Sequence, residues 1–240
     1  LNMKKNKFFY IIILLLSFSC DTISPPFTEG CLNCCGDANS ADPIKVILIE
    51  EFTGHKCPNC PNGSRIIENL VDFYCDHVIV LACHPFNQNF TEPNLSGYLS
   101  SDFRTEETTE IADAFGLPFL PNALVNRINN GDFFFPSEIG TVIENLLFDS
   151  NGNKISPDLN ITINHILQGS DININISIEK LNTIDDVEYK LAVVISEDHI
   201  ISGQWDGETL IEDYEHNHIY RSSVNGAWGE IIDLSQTNIE

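Results

Sequence analysis

The fold is decided by the stretch Glu51-Phe52-Thr53-Gly54-His55-Lys56-Cys57-Pro58-Asn59-Cys60. Its two cysteines are separated by two residues, and they follow an apolar run, Val46 to Ile49, that is typical of a β-strand. A helical pattern begins directly after them. Cysteines held where a strand passes into a helix can close and reopen a disulfide, and the helix N-terminus can stabilise the thiolate of the first. The stretch therefore indicates thiol–disulfide chemistry.

The first twenty residues have the pattern of an export signal. A lysine-rich start precedes an apolar run, Phe8 to Phe18, that is too short to span a membrane comfortably. The run ends at Cys20 behind small residues, which resembles a bacterial lipoprotein processing site; ordinary cleavage near the same place is the alternative. We therefore predict a signal peptide over 1–19 and a lipid anchor on Cys20, in a compartment where disulfides persist.

The composition limits the classes of function. Asp and Glu number 35 against 12 Lys and Arg, and the formal net charge is −23. Such a surface repels nucleic acid and anionic lipid headgroups, so we predict no nucleic-acid partner. The sequence contains no phosphate loop, dinucleotide fingerprint or nucleophilic serine motif, and we predict no cofactor. The roughly 220 residues after the leader suffice for one large or two modest domains.

Apolar periodicity predicts the order β-α-β, α, β-β-α over residues 44–150, after a tether over 20–43 that lacks such periodicity. The predicted strands are Ile44 to Phe52, His77 to Cys83, Ala123 to Asn126 and the run at 133–135, the last reached through a turn at 129–131. The predicted helices run from Pro61 to Tyr74, from Asp102 or Thr105 through Ala114 with Gly116 as the stop, and from Ser137 to about Phe148.

This order, with the C-x-x-C after the first strand, resembles the thioredoxin arrangement, a four-stranded mixed sheet flanked by helices. Glu51 lies six residues before Cys57, where thioredoxins keep a buried acid that exchanges protons with the resolving cysteine. Pro121 ends a stretch that resembles the thioredoxin approach to a cis-proline beside the C-x-x-C. The resemblance implies Cys57 as the attacking thiolate, Cys60 as the resolving thiol, Glu51 as the proton acceptor and Pro121 beside the substrate backbone.

The part of the chain after a linker-like segment has a different pattern. Between 155 and 240 apolar residues alternate with polar ones, which predicts half-buried antiparallel strands and an all-β, sandwich-like domain. We expect further strands of this domain beyond Glu240. The whole chain resembles the Omp28-related outer-membrane lipoproteins, in which a thioredoxin-like domain precedes a β-domain. The segments that carry this resemblance are 51–61, 195–204, 216–221 and 228–230. It implies a lipoprotein in the outer membrane of a Gram-negative bacterium.

Three residues near the C-x-x-C could shape its site. His55 and Lys56 would supply positive charge that lowers the pKa of the Cys57 thiol. His84 follows the second strand, and parallel neighbours end at the same edge of a sheet, so it should lie near the C-x-x-C, either to shuttle protons or as a loop residue with no role. His216 and His218 share one face of a predicted strand, where surface positions are favoured over a metal pair.

The remaining cysteines leave alternatives open. A second C-x-x-C, Cys31 and Cys34, could join the first pair in a tetrahedral zinc site, although our prediction assigns no metal. Cys75 could pair with Cys31, Cys34 or Cys35. Cys83 is predicted to be a buried, small apolar residue. Arg127 and Arg221 are predicted to form ion pairs.

Two functions follow from these patterns. The first is thiol–disulfide exchange on exported protein substrates, or with an envelope redox partner, through the C-x-x-C pair. The second is a non-catalytic surface lipoprotein, in which a vestigial thioredoxin scaffold and the β-domain serve protein interaction and the disulfide is static.

Overall fold

A computed structural model describes residues 42–169, 171–184 and 188–234 and the short strand at 238–239. The fold is mixed α/β, with one six-stranded mixed sheet and several smaller β-sheets. The predicted signal peptide, Cys20 and the tether up to residue 41 lie outside the described residues. Among the helices that are described, none is both long and apolar enough to cross a membrane.

Helices and strands alternate in the first part of the described chain, and strands alone make up the second. The first part contains β1 Ile47–Phe52, α1 Cys60–Tyr74, β2 Val78–Cys83, α2 Glu106–Phe115, β3 Asn122–Val125, α3 Ile128–Gly131, β4 Phe133–Phe134 and α4 Ile139–Leu147. The second contains β5 Leu159–Gln168, β6 Asp171–Lys180, β7 Tyr189–Leu191, β8 Val194–Glu197, β9 Ile200–Asp206, β10 Thr209–His216, β11 Ile219–Ser223, β12 Glu230–Ile232 and β13 Asn238–Ile239.

The central sheet has the strand order β4-β3-β1-β2-β11-β8. β1 pairs with β2 in parallel and with β3 antiparallel, and β3 pairs antiparallel with β4. The predicted four-stranded sheet is therefore wrong in its strand count, because two strands from the second part extend it. The junction is narrow: β11 meets β2 at the single pair Ile219 and Ala82, where the Ala82 N–H donates to the His218 carbonyl at 2.7 Å.

The core explains why the first part folds as predicted. Ile47 and Ile49 of β1 are fully buried, and α1 turns Ile67, Leu70 and Tyr74 towards the same cluster. Each fully buried aliphatic side chain of this kind contributes about 1.5–3 kcal/mol to the free energy of folding. The side chains of α1 are spaced three and four residues apart, as the face of an amphipathic helix requires. Burial of this face against the sheet fixes where α1 starts, and hence the position of the C-x-x-C.

The predicted limits of α2 are confirmed. The Thr105 hydroxyl accepts a hydrogen bond from the Thr108 N–H at 3.2 Å, which satisfies one of the free donors at the helix start. Gly116 ends the helix with a φ of +69°, a conformation that glycine adopts without steric cost.

The predicted sandwich is not confirmed, since the strands after residue 150 fall into several sheets. β9 pairs with β10, β7 with β12, and β6 with both β5 and β13. The β5–β6 hairpin has one isoleucine-rich face, and residues such as Ile163 and Ile172 remain 63% and 57% exposed. These strands alternate as predicted, but their apolar face is buried only towards one end, where Ile178 is 3% exposed.

Candidate redox site at the CxxC loop

Cys57 and Cys60 form a disulfide between the end of β1 and the start of α1, with their Cα atoms 5.4 Å apart. Both are buried, at 2% and 1% exposure. α1 begins at Cys60, so Cys57 lies one turn ahead of the helix and is less influenced by the helix dipole than a residue inside its first turn. The segment from Thr53 to Asn59 is called the CxxC loop below.

Glu51 lies in β1 between two alanines, Ala82 of β2 and Ala123 of β3, and is 4% exposed. The Ser64 hydroxyl, in the first turns of α1, donates to Glu51 Oε1 at 2.7 Å and also contacts the Cys60 carbonyl at 3.2 Å. Burial raises the pKa of Glu51 to about 7, although the hydrogen bond from Ser64 opposes the shift. The acid can therefore gain and lose a proton near neutral pH.

Ser64 was not singled out in the sequence. It lies four residues after Cys60, one helical turn away, and that spacing is the signal that could have found it.

Pro121 follows a cis peptide bond and lies against the first turns of α1. A Cβ atom added at Gly63 would lie 3.2 Å from the Pro121 ring, which is tighter than most such contacts. Gly63 thus permits the close approach of the proline to the helix. Since Gly63 is three residues after Cys60, the cis-proline lies at the same end of α1 as the disulfide.

The CxxC loop carries less positive charge than its sequence indicates. His55 is buried, and burial lowers its pKa to about 4, with further lowering by His216 and Lys56. His55 is therefore neutral at pH 7, contrary to the prediction that it adds positive charge. Lys56 is only partly buried, and its backbone N–H donates to the Phe90 carbonyl at 3.0 Å.

His55, His84 and His216 pack around Phe103, with ring centroids 5.9, 5.3 and 4.8 Å from the phenyl ring. We call these three residues the histidine cluster. Burial lowers the pKa of His84 to about 3 and that of His216 to about 4. Four ring nitrogens of the cluster have no hydrogen-bond partner among the described residues: His55 Nδ1 and Nε2, His84 Nδ1 and His216 Nε2.

The predicted surface position of His216 is wrong. His216 ends β10 and is 5% exposed, whereas His218 is half-buried and its Nδ1 lies 3.2 Å from a carboxylate oxygen of Asp198. The two histidines do not share an environment, because β10 ends at His216 and the φ of +59° at His218 turns the backbone.

A cavity of about 40 Å³ joins Glu51 to the histidine cluster. Its lining includes Glu51, Ser64, His84, Tyr214 and His216. A water molecule needs roughly 10–15 Å³ of such space and two or more polar partners. The cavity is therefore large enough and polar enough to hydrate the buried carboxyl group.

The β9–β10 hairpin, which spans Ile200 to His216, fastens the CxxC loop from the C-terminal side. Gln204 Nε2 donates to the carbonyls of Gly54 and Cys57, each at 3.3 Å. The Trp205 N–H donates to the His55 carbonyl at 2.9 Å, and the Gly207 N–H donates to the Pro58 carbonyl at 2.8 Å. Gln204 is 147 residues from Cys57 in the chain, so no local pattern in the sequence indicates this contact.

The predicted ion pairs of both arginines are confirmed. Arg127 forms two 2.7 Å hydrogen bonds with the buried Glu50 carboxylate, and Arg221 pairs with Glu197 at 3.2 Å. Glu50 and Glu51 are neighbours in β1 and point to opposite faces of the sheet. Glu50 therefore pairs with Arg127 on one face, and Glu51 accepts the Ser64 hydroxyl on the other.

The other described cysteines are not bonded to Cys57 or Cys60, although Cys83 lies in the same buried cluster as that pair. Cys83 is a free, fully buried thiol, as predicted, and burial raises its pKa. Cys75 is disulfide-bonded, and its three predicted candidate partners lie outside the described residues. Within the described ranges no three or more His, Cys, Asp or Glu residues are grouped to hold a metal ion. Cys57 and Cys60 are bonded to each other, whereas zinc binds thiolates.

Comparisons with known proteins support a family assignment. No curated protein matches the chain. Among solved structures, HBP35 of Porphyromonas gingivalis is similar with a TM-score of 0.58 and 16% identity, over 83% of this chain and 64% of that protein. The chain thus spans less than two thirds of that relative, and the similarity concerns the fold alone.

A second solved structure, protein AGR_C_4864 from Agrobacterium tumefaciens, has a TM-score of 0.47 and 15% identity over 76% of this chain and 73% of that one. The sequence model of the family described as outer membrane protein Omp28 matches residues 108–239, more than half of the chain. The chain therefore belongs to the Omp28 family of outer membrane proteins.

Proposed function

We propose that the chain is a thioredoxin-like thiol–disulfide oxidoreductase of the cell envelope. Its substrates are exported proteins, or an envelope redox partner, and Cys57 and Cys60 are the reacting pair. The export signal and the lipid anchor on Cys20 would place it in the outer membrane of a Gram-negative bacterium, in agreement with the family. The β-rich second part would fasten the site and recruit a partner.

The arrangement of the first part supports a thioredoxin-like domain. The proposal is supported by the strand order β4-β3-β1-β2, by the parallel β1–β2 pair joined through α1, and by the cis-proline directly before β3. The cysteine pair lies at the end of β1 that leads into α1. Elements that are far apart in the chain therefore converge at one end of α1.

The observation that carries the proposal is the buried carboxyl group of Glu51. A disulfide that serves only as a staple needs no neighbouring acid with a pKa of about 7, and burying such a group costs free energy. An acid that ionises near the working pH is what general acid–base catalysis requires. The hydroxyl of Ser64 connects this acid to the turn that contains Cys60.

The reaction has two steps. The Cys57 thiolate attacks one sulfur of a substrate disulfide, so that a mixed disulfide forms and one substrate thiolate leaves. Cys60 then loses its proton to Glu51 and attacks the Cys57 sulfur, which closes the Cys57–Cys60 disulfide and releases the second substrate thiolate. Two electrons pass from the cysteine pair to the substrate, and the reverse sequence oxidises a substrate dithiol.

The test is the capture of the mixed disulfide. A Cys60→Ser variant produced in cells should retain substrate proteins in mixed disulfides with Cys57, because the resolving thiol is missing. Cys83→Ala is the matched control: it removes a buried cysteine and should leave insulin reduction by the purified protein unchanged. Absence of any trapped partner, together with no insulin reduction by the wild-type chain, would refute the proposed activity.

One observation favours the non-catalytic alternative. Both sulfurs are buried, and the β9–β10 hairpin fastens the CxxC loop, so a protein substrate reaches Cys57 only if that cover moves. If the folded chain keeps its disulfide under reducing conditions, the disulfide is a staple and the scaffold serves protein interaction.

A further inference from the structure

The CxxC loop accepts several hydrogen bonds from the second part of the chain. Two of the hydrogen bonds come from the backbone of Trp205 and Gly207, and the side chain of Gln204 supplies the others. Together they cover the carbonyls of four loop residues: Gly54, His55, Cys57 and Pro58. The loop that carries the attacking cysteine is thus bonded along most of its length to β9 and the turn after it.

The side chain of Gln204 is buried and is held in place by its surroundings. It is 4% exposed, and its amide nitrogen contacts three carbonyls, those of Gly54, Cys57 and Trp205. The preceding residue fixes the position of β9. A Cβ at Gly203 would lie 2.6 Å from the Tyr98 carbonyl oxygen, and the Gly203 N–H donates to that same oxygen at 2.7 Å. β9 therefore fits closely against residues 98–101 and turns Gln204 towards the loop.

The side-chain amide of Gln204 donates to carbonyl groups whose partial charge disfavours a thiolate at Cys57. Carbonyl oxygens carry partial negative charge, so the carbonyls of Gly54 and Cys57, which also accept from the backbone N–H groups of Cys57 and Cys60, disfavour a negative charge on the Cys57 sulfur. Hydrogen bonds from an amide offset that charge, and they count for more in a buried site than in water. His55 is neutral at pH 7 and does not replace them.

We propose that Gln204 is a positioning residue of the Cys57–Cys60 couple, whose side-chain amide holds the carbonyls of Gly54 and Cys57 and so favours the reduced, thiolate form. The inference rests on the proposed function in that it concerns the same couple. According to this inference, a side chain of the second part of the chain tunes the redox couple of the first part.

The test is the equilibrium of the full chain with glutathione or dithiothreitol redox buffers, which needs no protein substrate. Gln204→Leu removes the donors and keeps a similar volume. It should shift the equilibrium about tenfold towards the disulfide, or about 30 mV for a two-electron couple. It should also raise the pKa of Cys57, measured in a Cys60→Ser background. Gln204→Glu keeps the shape but adds negative charge, and it should shift both quantities further in the same direction.

The matched control is Gln168→Leu, at an exposed position in β5, which should change neither quantity. A merely structural role for Gln204 predicts lower thermal stability with an unchanged potential and an unchanged Cys57 pKa, and that result would overturn the inference. Because the potential is measured without a substrate, a chain that fails to reduce insulin but shows the Gln204 shift refutes the proposed function alone.

The wild-type chain offers a second measurement in case the variants fail to fold. The side-chain amide protons of Gln204 should be protected from exchange with solvent in both the oxidised and the reduced protein. Exchange in the reduced protein as fast as that of the exposed Gln168 would also overturn the inference.

Discussion

Glu51 and two members of the histidine cluster line the same small cavity, yet burial moves their pKa values in opposite directions. Burial penalises the charged form of any group. Glu51 therefore stays protonated up to a pH of about 7, whereas the three histidines stay unprotonated down to a pH of about 4 or below. The site thus contains one acid that titrates near pH 7 and three histidines that are uncharged at that pH.

The two regions contribute to stability with opposite pH dependence. The histidines have folded-state pKa values below 6.5, so the stability that they contribute is present above pH 6.5 and is lost as the pH falls towards 4. Glu51 has a folded-state pKa above 4.5, so its contribution is present below pH 4.5 and is lost as the pH rises through 7. Three histidines oppose one acid, so the histidines dominate.

The largest expected effect is a loss of stability in mild acid. Between pH 7 and pH 5 each histidine should cost roughly 2 kcal/mol, and protonation of Glu51 should return roughly 2 kcal/mol, so these four groups together should contribute a net loss of about 4 kcal/mol. Urea unfolding of the oxidised chain at the two pH values measures this difference. An unfolding free energy that stays constant or rises towards pH 5 would show that the cluster is hydrated and free to protonate.

Removal of the Glu50 carboxylate, which pairs with Arg127, should lower the free energy of unfolding more than removal of the Glu51 carboxyl group, which has no cation partner among the described residues. Glu50→Gln leaves Arg127 without its buried partner and should lower the free energy of unfolding by about 3 kcal/mol at pH 7. Glu51→Gln should cost less than about 1 kcal/mol at that pH, because it removes a carboxylate that burial disfavours. Chemical denaturation of both variants at pH 7 compares them. Equal losses would contradict the different environments of these two neighbours.

A single histidine should account for about a third of the histidine effect. His216→Gln should reduce the loss between pH 7 and pH 5 by about 2 kcal/mol. His165→Gln is the matched control, because His165 is an exposed histidine of β5 and is not part of the cluster, and it should leave the loss unchanged. The same denaturation series applies. A loss unaltered by His216→Gln would remove His216 from the cluster.

Removal of Glu51 should have an effect of about the same size as His216→Gln, with the reverse sign. Glu51→Gln removes the group that opposes the histidines, so the loss between pH 7 and pH 5 should grow by about 2 kcal/mol. Glu208→Gln, in the exposed turn between β9 and β10, should not change it. Parallel unfolding curves for the Glu51→Gln variant and the wild type at both pH values would contradict the raised pKa of this acid.

Much of the first part of the fold could be predicted from the sequence, because its signals are local. The apolar runs of β1 and β2, the Thr105 and Gly116 limits of α2 and the stretch that ends at Pro121 each depend on a few neighbouring residues. Each is also consistent with the element that follows it. Agreement between local pattern and global fold is what a sequence can express directly.

The contacts made by the second part could not be predicted in the same way. Alternating apolar residues identify strands at 161–163, 172–178 and 189–195, but they do not say that β11 joins β2 or that Gln204 meets the CxxC loop. The burial of His216 was missed for a related reason, because a change of backbone direction after β10 breaks the alternation that placed it beside His218. Long-range pairing of this kind has no fixed spacing in the sequence.

The reduction potential of the Cys57–Cys60 pair in the folded wild-type chain at pH 7 tests the central claim most directly. If Glu51 and the CxxC loop form a working redox site, the pair should equilibrate reversibly with a dithiol buffer at a potential above about −300 mV. A potential below that value, or a disulfide that reacts only after the chain is unfolded, would identify a structural staple and contradict the account.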